Sequence, residues 1–404
     1  MKKLFLLGGS SYLLPVIDAA HKLGAQVITC DYLLDNIAHK YSDQYCDVSV
    51  VDKEAVLKIA QELQIDGIMS FACDPGVVTA AYVAENMGLP SCGTYDSVSI
   101  LQDKSQFRQF LSDNGFNVPK VHSYSSINDA INDKDNIEYP VIVKPVDSAG
   151  SKGVTRIDLP TQLKDAATHA FSYSLKKQII IEEYLEQVGF PSDTDCFSID
   201  GKLVFVSFDN QRFDQTSNNP YAPVAYSWPS SMLPDAKRTL TDEIQRLIDL
   251  LHLKTSIYNV ETRLSKNGKP YIMELSPRGG GNRLAECLKF ATGVDLIDGA
   301  VRAALGMQIE NIVQKPYRGY WAEIILYSNK DGHFQGIWIS DEIKNNVVDQ
   351  DVWVSLGDDV CRFDSANKAI GSLVLSFPSE QSLERVMSNI PRYVRVITKK
   401  TSIK

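Results

Sequence analysis

The chain has little cysteine, and what it has is not paired. Seven cysteines, at 30, 46, 73, 92, 196, 287 and 361, are scattered over 404 residues. With no CxxC spacing, a zinc ribbon or dithiol redox centre is excluded, and apolar settings such as Ser70-Phe-Ala-Cys73 predict reduced, buried thiols. Positive charge is in deficit too. Lys and Arg number 41 against 50 Asp and Glu, a formal net charge of −9, so there is no basic footprint for nucleic acid. No apolar run approaches the ~18 residues of a membrane span. The opening run, Leu4 to Leu7, is shorter than the roughly 7 residues of a signal-peptide core and reads as a first β-strand. Repeats and low-complexity segments are missing. Length and composition agree with a cytoplasmic chain of two to four folded units that meets no nucleic acid and no membrane; a homodimer is compatible with the same reading.

Familiar nucleotide signatures are missing as well. Gly8-Gly9-Ser10-Ser11 follows the first strand but is not GxGxxG, so it reads as a tight strand–helix turn in a Rossmann-like structural domain. No Walker A pattern occurs, and Met-Lys, the biotin-attachment dipeptide, is found only at Met1-Lys2.

What is present begins with two glutamates. Glu261 lies in Ser256-Ile-Tyr-Asn-Val-Glu-Thr-Arg-Leu264, and Glu274 closes Tyr271-Ile-Met-Glu. Between these apolar runs Lys266-Asn-Gly-Lys-Pro270 has the composition of a hairpin turn. Paired strands lie about 4.8 Å apart. Glu261 and Glu274 can therefore face one site, where two hard carboxylates suit Mg²⁺ that also binds substrate phosphates. A solvated hairpin is the plainer reading; the apolar flanks and the adjoining Arg278-Gly-Gly-Gly281 argue against it.

Three further stretches add to this. Val141-Ile-Val is a buried-strand signature ending in Lys144, followed by the small-residue loop Ser148-Ala149-Gly150-Ser151-Lys152-Gly153. Backbone N–H groups of such a loop can close around phosphate oxygens, with a glycine-rich hairpin carrying a stray lysine equally open. Ile179-Ile-Ile-Glu182-Glu183-Tyr-Leu185 is a strand that breaks at an acidic pair and can present backbone groups and a carboxylate to an adenine edge. Thr94 to Leu111 reads as a capped helix with Val98, Leu101, Phe107 and Leu111 near one face and Lys104 among them. The polar, Pro-broken stretch Asp209 to Pro229 reads as a substrate loop. Arg212 on it and Arg283 after the triple glycine are candidate carboxylate clamps, with a structural salt bridge equally open for each. Asp195, in an alternating hairpin, faces either the ribose and metal region or the surface.

Taken in order, Asp103-Lys104, Val-Ile-Val-Lys144-Pro, Ser148 to Gly153, Ile-Glu182-Glu-Tyr-Leu185, Glu261 and Glu274-Leu-Ser-Pro-Arg278 resemble the ATP-grasp family over roughly residues 1 to 310. The resemblance implies an α/β and α+β architecture. A Rossmann-like domain at 1–94 and linker helices at 95–117 precede an ATP-grasp lid subdomain at 118–184 and a central subdomain with the metal site at 185–312. A small β-rich domain at 313–404 closes the chain. It implies ATP, with Mg²⁺ or Mn²⁺. Lys104 and Lys144 match the phosphate-binding lysines. Ser148, Ala149, Gly150, Ser151 and Gly153 match the phosphate lid, and Glu182, Glu183 and Leu185 the adenine hinge. Glu261 and Glu274 match the metal ligands and Arg278 the catalytic arginine. Ser276 stands where the family usually has Asn, as in its glycinamide ribonucleotide transformylase branch, and is taken as a third metal ligand.

The function implied is a carboxylate–amine ligase joining small-molecule carboxylate and amine substrates through an acyl phosphate, with no nucleophilic Ser or Cys. A formate- or bicarbonate-activating ligase, resembling the transformylase or biotin carboxylase, is the alternative. A nucleotide-binding protein without turnover is a third reading.

Overall fold

The computed structural model describes residues 1–399 apart from 149 and 218. The chain opens with β1 (Lys3–Leu7), α1 (Leu14–Lys22), β2 (Gln26–Cys30), β3 (Gln44–Cys46), α2 (Lys53–Leu63), β4 (Gly67–Ser70) and α3 (Asp74–Met87). The four strands form a parallel sheet in the order β3-β2-β1-β4. Leu4 to Leu7 are fully buried, because helices cover both faces of the sheet. Pro75 starts α3 and Gly88, at φ 64°, ends it; Pro brings the first-turn φ and Gly accepts the left-handed cap.

The expected single helix of residues 94–111 is two, α4 (Tyr95–Gln102) and α5 (Lys104–Asp113). Asp103 breaks it, with extended φ/ψ of −116° and 108°. Its carboxylate accepts from the N–H groups of Ser105 and Gln106, so a new helix starts there with Lys104 as its first residue.

A four-stranded antiparallel sheet follows, from β5 (Val121–Tyr124), α6 (Ile127–Asn132), β6 (Val141–Pro145), β7 (Thr155–Ile157), α7 (Leu163–Tyr173) and β8 (Ile179–Glu183), in the order β5-β8-β6-β7. Alternation sets its function. Val141, Val143, Ile179 and Ile181 pack under the helices, which leaves Ile142, Lys144 and Glu182 on the opposite face.

Next come β9 (Ser192–Ile199), β10 (Lys202–Phe205), β11 (Asn210–Phe213), β12 (Pro223–Trp228), α8 (Pro234–Leu250), β13 (Ser256–Leu264), β14 (Pro270–Ser276), α9 (Leu284–Thr292) and α10 (Leu296–Ala304). The sheet order here is β10-β9-β13-β14. The tail adds β15 (Tyr320–Leu326), β16 (Gly332–Ile339), β17 (Val347–Val352), β18 (Asp359–Val360), β19 (Gly371–Phe377), α11 (Glu380–Met387), α12 (Ile390–Tyr393) and β20 (Val394–Lys399).

The stretch read as a substrate loop is about half strand, with a loop left only between the two strands. β11 and β12 leave the central sheet and join the tail in a sheet ordered β11-β12-β15-β19-β17. Val224, Tyr226 and Trp228 alternate with Ala225 and Ser227, which is the period-2 pattern of a strand buried on both faces. The largest core cluster joins the N-terminal sheet, the central sheet and the tail, from Leu4 and Ile17 through Leu288 and Val301 to Trp228, Trp321 and Val374, while the β5-β8-β6-β7 sheet has a core of its own. All seven cysteines are free thiols; three are buried, as expected, but Cys361 is exposed. Among the described residues no helix is long and apolar enough to cross a membrane.

Candidate active site

The predicted hairpin is present, and it places the two glutamates directly opposite each other. In the β13–β14 pairing Glu261 faces Glu274, with a bulge immediately after Glu261. The same rung extends to β9, where Asp193 pairs with Glu261. Two residues along, a second rung holds Asp195, Asn259 and Ser276. Spacing of two keeps both rungs on one face of the sheet.

Cations meet this face from three elements. Lys104, at the start of α5, lies 3.4 Å from Glu274 and donates to the Ser148 carbonyl at 3.1 Å. Burial alone would lower its pKa, but Glu274 and Asp74 outweigh burial and raise it. Lys144 lies 2.5 Å from Glu182, whose other oxygen accepts from Arg108 at 2.6 Å. Burial opposes the charge on Glu182, yet Arg108 and Lys144 together hold its carboxyl down at about 2. The two cations share one anion, so at Lys144 burial wins over Glu182 and the pKa falls. Arg263 pairs with Glu261 at 2.8 Å.

Arg278 is held from the N-terminal sheet's side. Its Nε and Nη2 donate to the two oxygens of Asp74 at 2.9 and 2.8 Å, a bidentate pair. Burial would raise Asp74, but Arg278 and the Ser276 hydroxyl bring it below the usual carboxylate range. The glycines after Arg278 make the approach feasible. A Cβ on Gly279 would lie 2.2 Å from the Phe71 ring, and one on Gly280 would meet Leu284 at 2.6 Å. The Gly280 N–H donates to Asp195, and the Ala72 N–H to the Gly279 carbonyl.

Several sequence expectations change here. The Ser276 hydroxyl donates to Asp74 and accepts from Gln102, at 2.9 and 2.8 Å, so it braces the Arg278–Asp74 pair instead of offering a lone pair to a metal. The Glu182 side chain is committed to Lys144 and Arg108 and is buried, so it supports the lysine and does not face an adenine. Glu183 turns to the outer side of the hinge, where its carboxylate accepts from the Lys120 N–H. Leu185 is buried just beyond it. Arg212 is no carboxylate clamp: it donates to Ser227 and Glu384 and stacks over Phe190, tying β11 to α11. Arg283 likewise joins Glu286 and Asp349, a brace between α9 and β17. Ser148, Gly150, Ser151 and Gly153 form the loop between β6 and β7, with Gly150 and Gly153 at φ 68° and 72°. Ala149 lies outside the described residues.

The residues overlooked in the sequence are Gln102, Arg108, Asp193 and Arg263, together with the part Asp74 plays in holding Arg278. Asp193 stands two before Asp195 on the same strand, and that spacing was its available signal. Burial and the charge of Glu261 push Asp193 up to about 8, and burial pushes Asp195 up to about 7.

The donor set fits Mg²⁺ bound together with a triphosphate. Among the described residues no cluster of three or more His, Cys, Asp or Glu is arranged to hold a metal alone. Two facing carboxylates with three cations around them need phosphate oxygens to complete the coordination, which is how Mg²⁺ usually binds.

Residues 137–286 match the family model described as the ATP-grasp domain. The carbamoyl phosphate synthase large chain of Thermoanaerobacter sp. (strain X514) is 25% identical over 279 residues, covering 67% of this chain and 24% of that one. The chain thus spans about a quarter of the length of the curated relatives it matches. The crystal structure of L-amino acid ligase from Bacillus licheniformis superposes with a TM-score of 0.82 at 20% identity, over 99% of each chain. The biotin carboxylase domain of the Hydrogenobacter thermophilus 2-oxoglutarate carboxylase, in complex with MgADP and bicarbonate, gives 0.74 at 17% identity, over 98% of this chain and 91% of that one. The lid sheet, the facing glutamates and the arginine held at the central sheet's end belong together: the chain contains an ATP-grasp domain, matched over residues 137–286, and shares its fold with these two structures.

Proposed function

We propose that this protein is an ATP-dependent carboxylate–amine ligase that forms an amide through an acyl phosphate and releases ADP and phosphate. The observation that carries this is the register of Glu261 against Glu274 on a face that Lys104, Lys144 and Arg278 approach. A carboxylate is a poor electrophile, and phosphorylation by ATP gives it a good leaving group. Glu261 and Glu274 would hold Mg²⁺, whose charge offsets that of the β- and γ-phosphates. Lys104 and Lys144 neutralise phosphate oxygens, and backbone N–H groups of the 150–153 segment position the phosphoryl group. Arg278, fixed by Asp74, stabilises oxyanions as the phosphoryl moves and as the amine adds to the acyl carbon. Its preset bidentate geometry means little reorganisation at the moment of reaction.

The test is phosphate release from ATP with a panel of amino acids and other small carboxylates, offered with and without amine acceptors, followed by mass spectrometry of the product. An amide with ADP is expected. Phosphate release stimulated by formate or bicarbonate, with no amide from any carboxylate and amine pair, would replace this reading with the formate- or bicarbonate-activating one.

A further inference from the structure

The short turn between β11 and β12 takes part in none of the chemistry above, yet it touches the phosphate loop. Asn219 sits at its centre. One N–H of the Asn219 amide donates to the Ser151 carbonyl at 3.1 Å and the amide also donates to the Asp364 carbonyl at 2.9 Å. Its Oδ1 accepts from the Tyr221 N–H at 3.0 Å. Ser151 answers through its hydroxyl, which donates to the Tyr221 carbonyl at 2.9 Å. A Cβ on Gly150 would rest against Ala366 at 3.6 Å, so the loop is also in van der Waals reach of the tail. One side chain therefore joins three segments that are far apart in sequence: the loop after β6, the β11–β12 turn and the segment before β19.

The turn itself is seated firmly. Tyr327 on the tail donates to Asp214 at 2.9 Å, and Asp214 caps Thr216. Ala222, Val224 and Phe363 form a small buried core beneath it, with the Tyr327 ring against Phe363. All three partners of Asn219 are backbone groups, so the fastening depends on the amide and not on neighbouring side chains. Aspartate in the same place would set a carboxylate oxygen against two carbonyl oxygens.

We propose that Asn219 is a positioning residue for phosphoryl transfer: it fastens the phosphate loop to the tail's sheet, so that the loop's closed position over the γ-phosphate is set by the β11–β12 turn. The inference rests on the loop being the phosphate lid of the proposed ligase. The open loop would lose both bonds to Ser151 and keep those within the turn.

The test uses the full chain with Asn219→Asp and Asn219→Ala. Hydrogen exchange, read on a peptide covering 150–157 without nucleotide, is expected to quicken roughly tenfold in both variants, as the loss of one to two hydrogen bonds implies. Peptides over 210–213 and 223–228 should be unchanged, with a melting temperature within about 2 °C of wild type. In turnover, KM for ATP or kcat should worsen about tenfold, while the Kd of ADP, which has no γ-phosphate, moves less than about twofold. Wild-type exchange and kinetics in both variants would overturn the assignment. So would an equal loss of ADP and ATP affinity, which would make Asn219 a general support of the nucleotide site. The exchange measurement needs no substrate. If the wild type turns over nothing, the ligase reading fails while the fastening is still decided; if the fastening fails in an active enzyme, the ligase reading stands.

Discussion

Glu182 carries two cations on one buried carboxylate. Replacing it with Gln leaves Arg108 and Lys144 buried without a counter-charge, and breaking a buried pair from one side costs roughly 3–5 kcal/mol. The pH dependence has a definite sign. Its folded pKa, at about 2, lies below the ordinary glutamate value. The stabilisation is therefore complete above that ordinary value and is lost as pH falls towards about 2. Urea denaturation should show Glu182→Gln far weaker than wild type at pH 7 and the gap narrowing at pH 3. An unchanged gap at both pH values would show that the charge on Glu182 is not what holds the site. Ser276 makes a second case. If it braces Asp74, Ser276→Ala should lower kcat several-fold and leave the Mg²⁺ concentration for half-activity within about twofold, since one hydrogen bond is worth about 1 kcal/mol. A large rise in that concentration would restore Ser276 as a metal ligand.

These two residues also mark how far the sequence could be read. Glu261 and Glu274 were legible because a hairpin is local: thirteen residues and a Lys-Asn-Gly turn fix their register. Asp74 was not, because its partners Ser276 and Arg278 are more than 200 positions away and nothing in Asp-Pro-Gly announces them. Glu182 was placed on the right strand, but its carboxylate goes to Lys144 and Arg108. Its neighbour across the sheet, Ile142, is two residues from Lys144, and only the pleat reveals that Glu182 and Lys144 share a face.

At the scale of elements, the break between α4 and α5 does most to position Lys104. Asp103 caps α5, accepts from the Ser105 hydroxyl and pairs with Lys176. Asp103→Ala should cost about 1–2 kcal/mol of stability, the usual worth of a helix cap, and should weaken ATP binding because Lys104 is the next residue. Equilibrium denaturation and nucleotide titration on one preparation would check both. Loss of stability with wild-type ATP affinity would separate the cap from the phosphate site. The break itself could not be read from apolar periodicity, since Leu101, Phe107 and Leu111 all reach one core cluster across it. The β11 and β12 strands escaped for another reason. Their Asn, Gln, Arg and Ser side chains look like loop, but Asn210, Gln211, Arg212 and Ser227 are all buried: Asn210 and Arg212 donate to Ser227 across the pair of strands, and Gln211 donates to Asp193 on β9.

For the molecule as a whole, the proposed chemistry depends on a divalent cation. Two facing glutamates repel a triphosphate unless Mg²⁺ lies between them. Turnover should vanish in excess chelator and return with Mg²⁺, and Glu274→Gln should lose at least about a hundredfold in kcat with a much smaller change in nucleotide affinity. Full activity in chelator would remove the metal from the mechanism. The sheet shared by β12 and β15 has a different consequence. Residues 306–319 run largely exposed between α10 and β15, an accessible stretch for a protease. The two pieces left by a cut there would still be joined by four registered residue pairs, Ala225 with Ile324 through Trp228 with Trp321, and by a common core. A nicked chain should therefore elute from a sizing column as one intact particle and come apart only in denaturant.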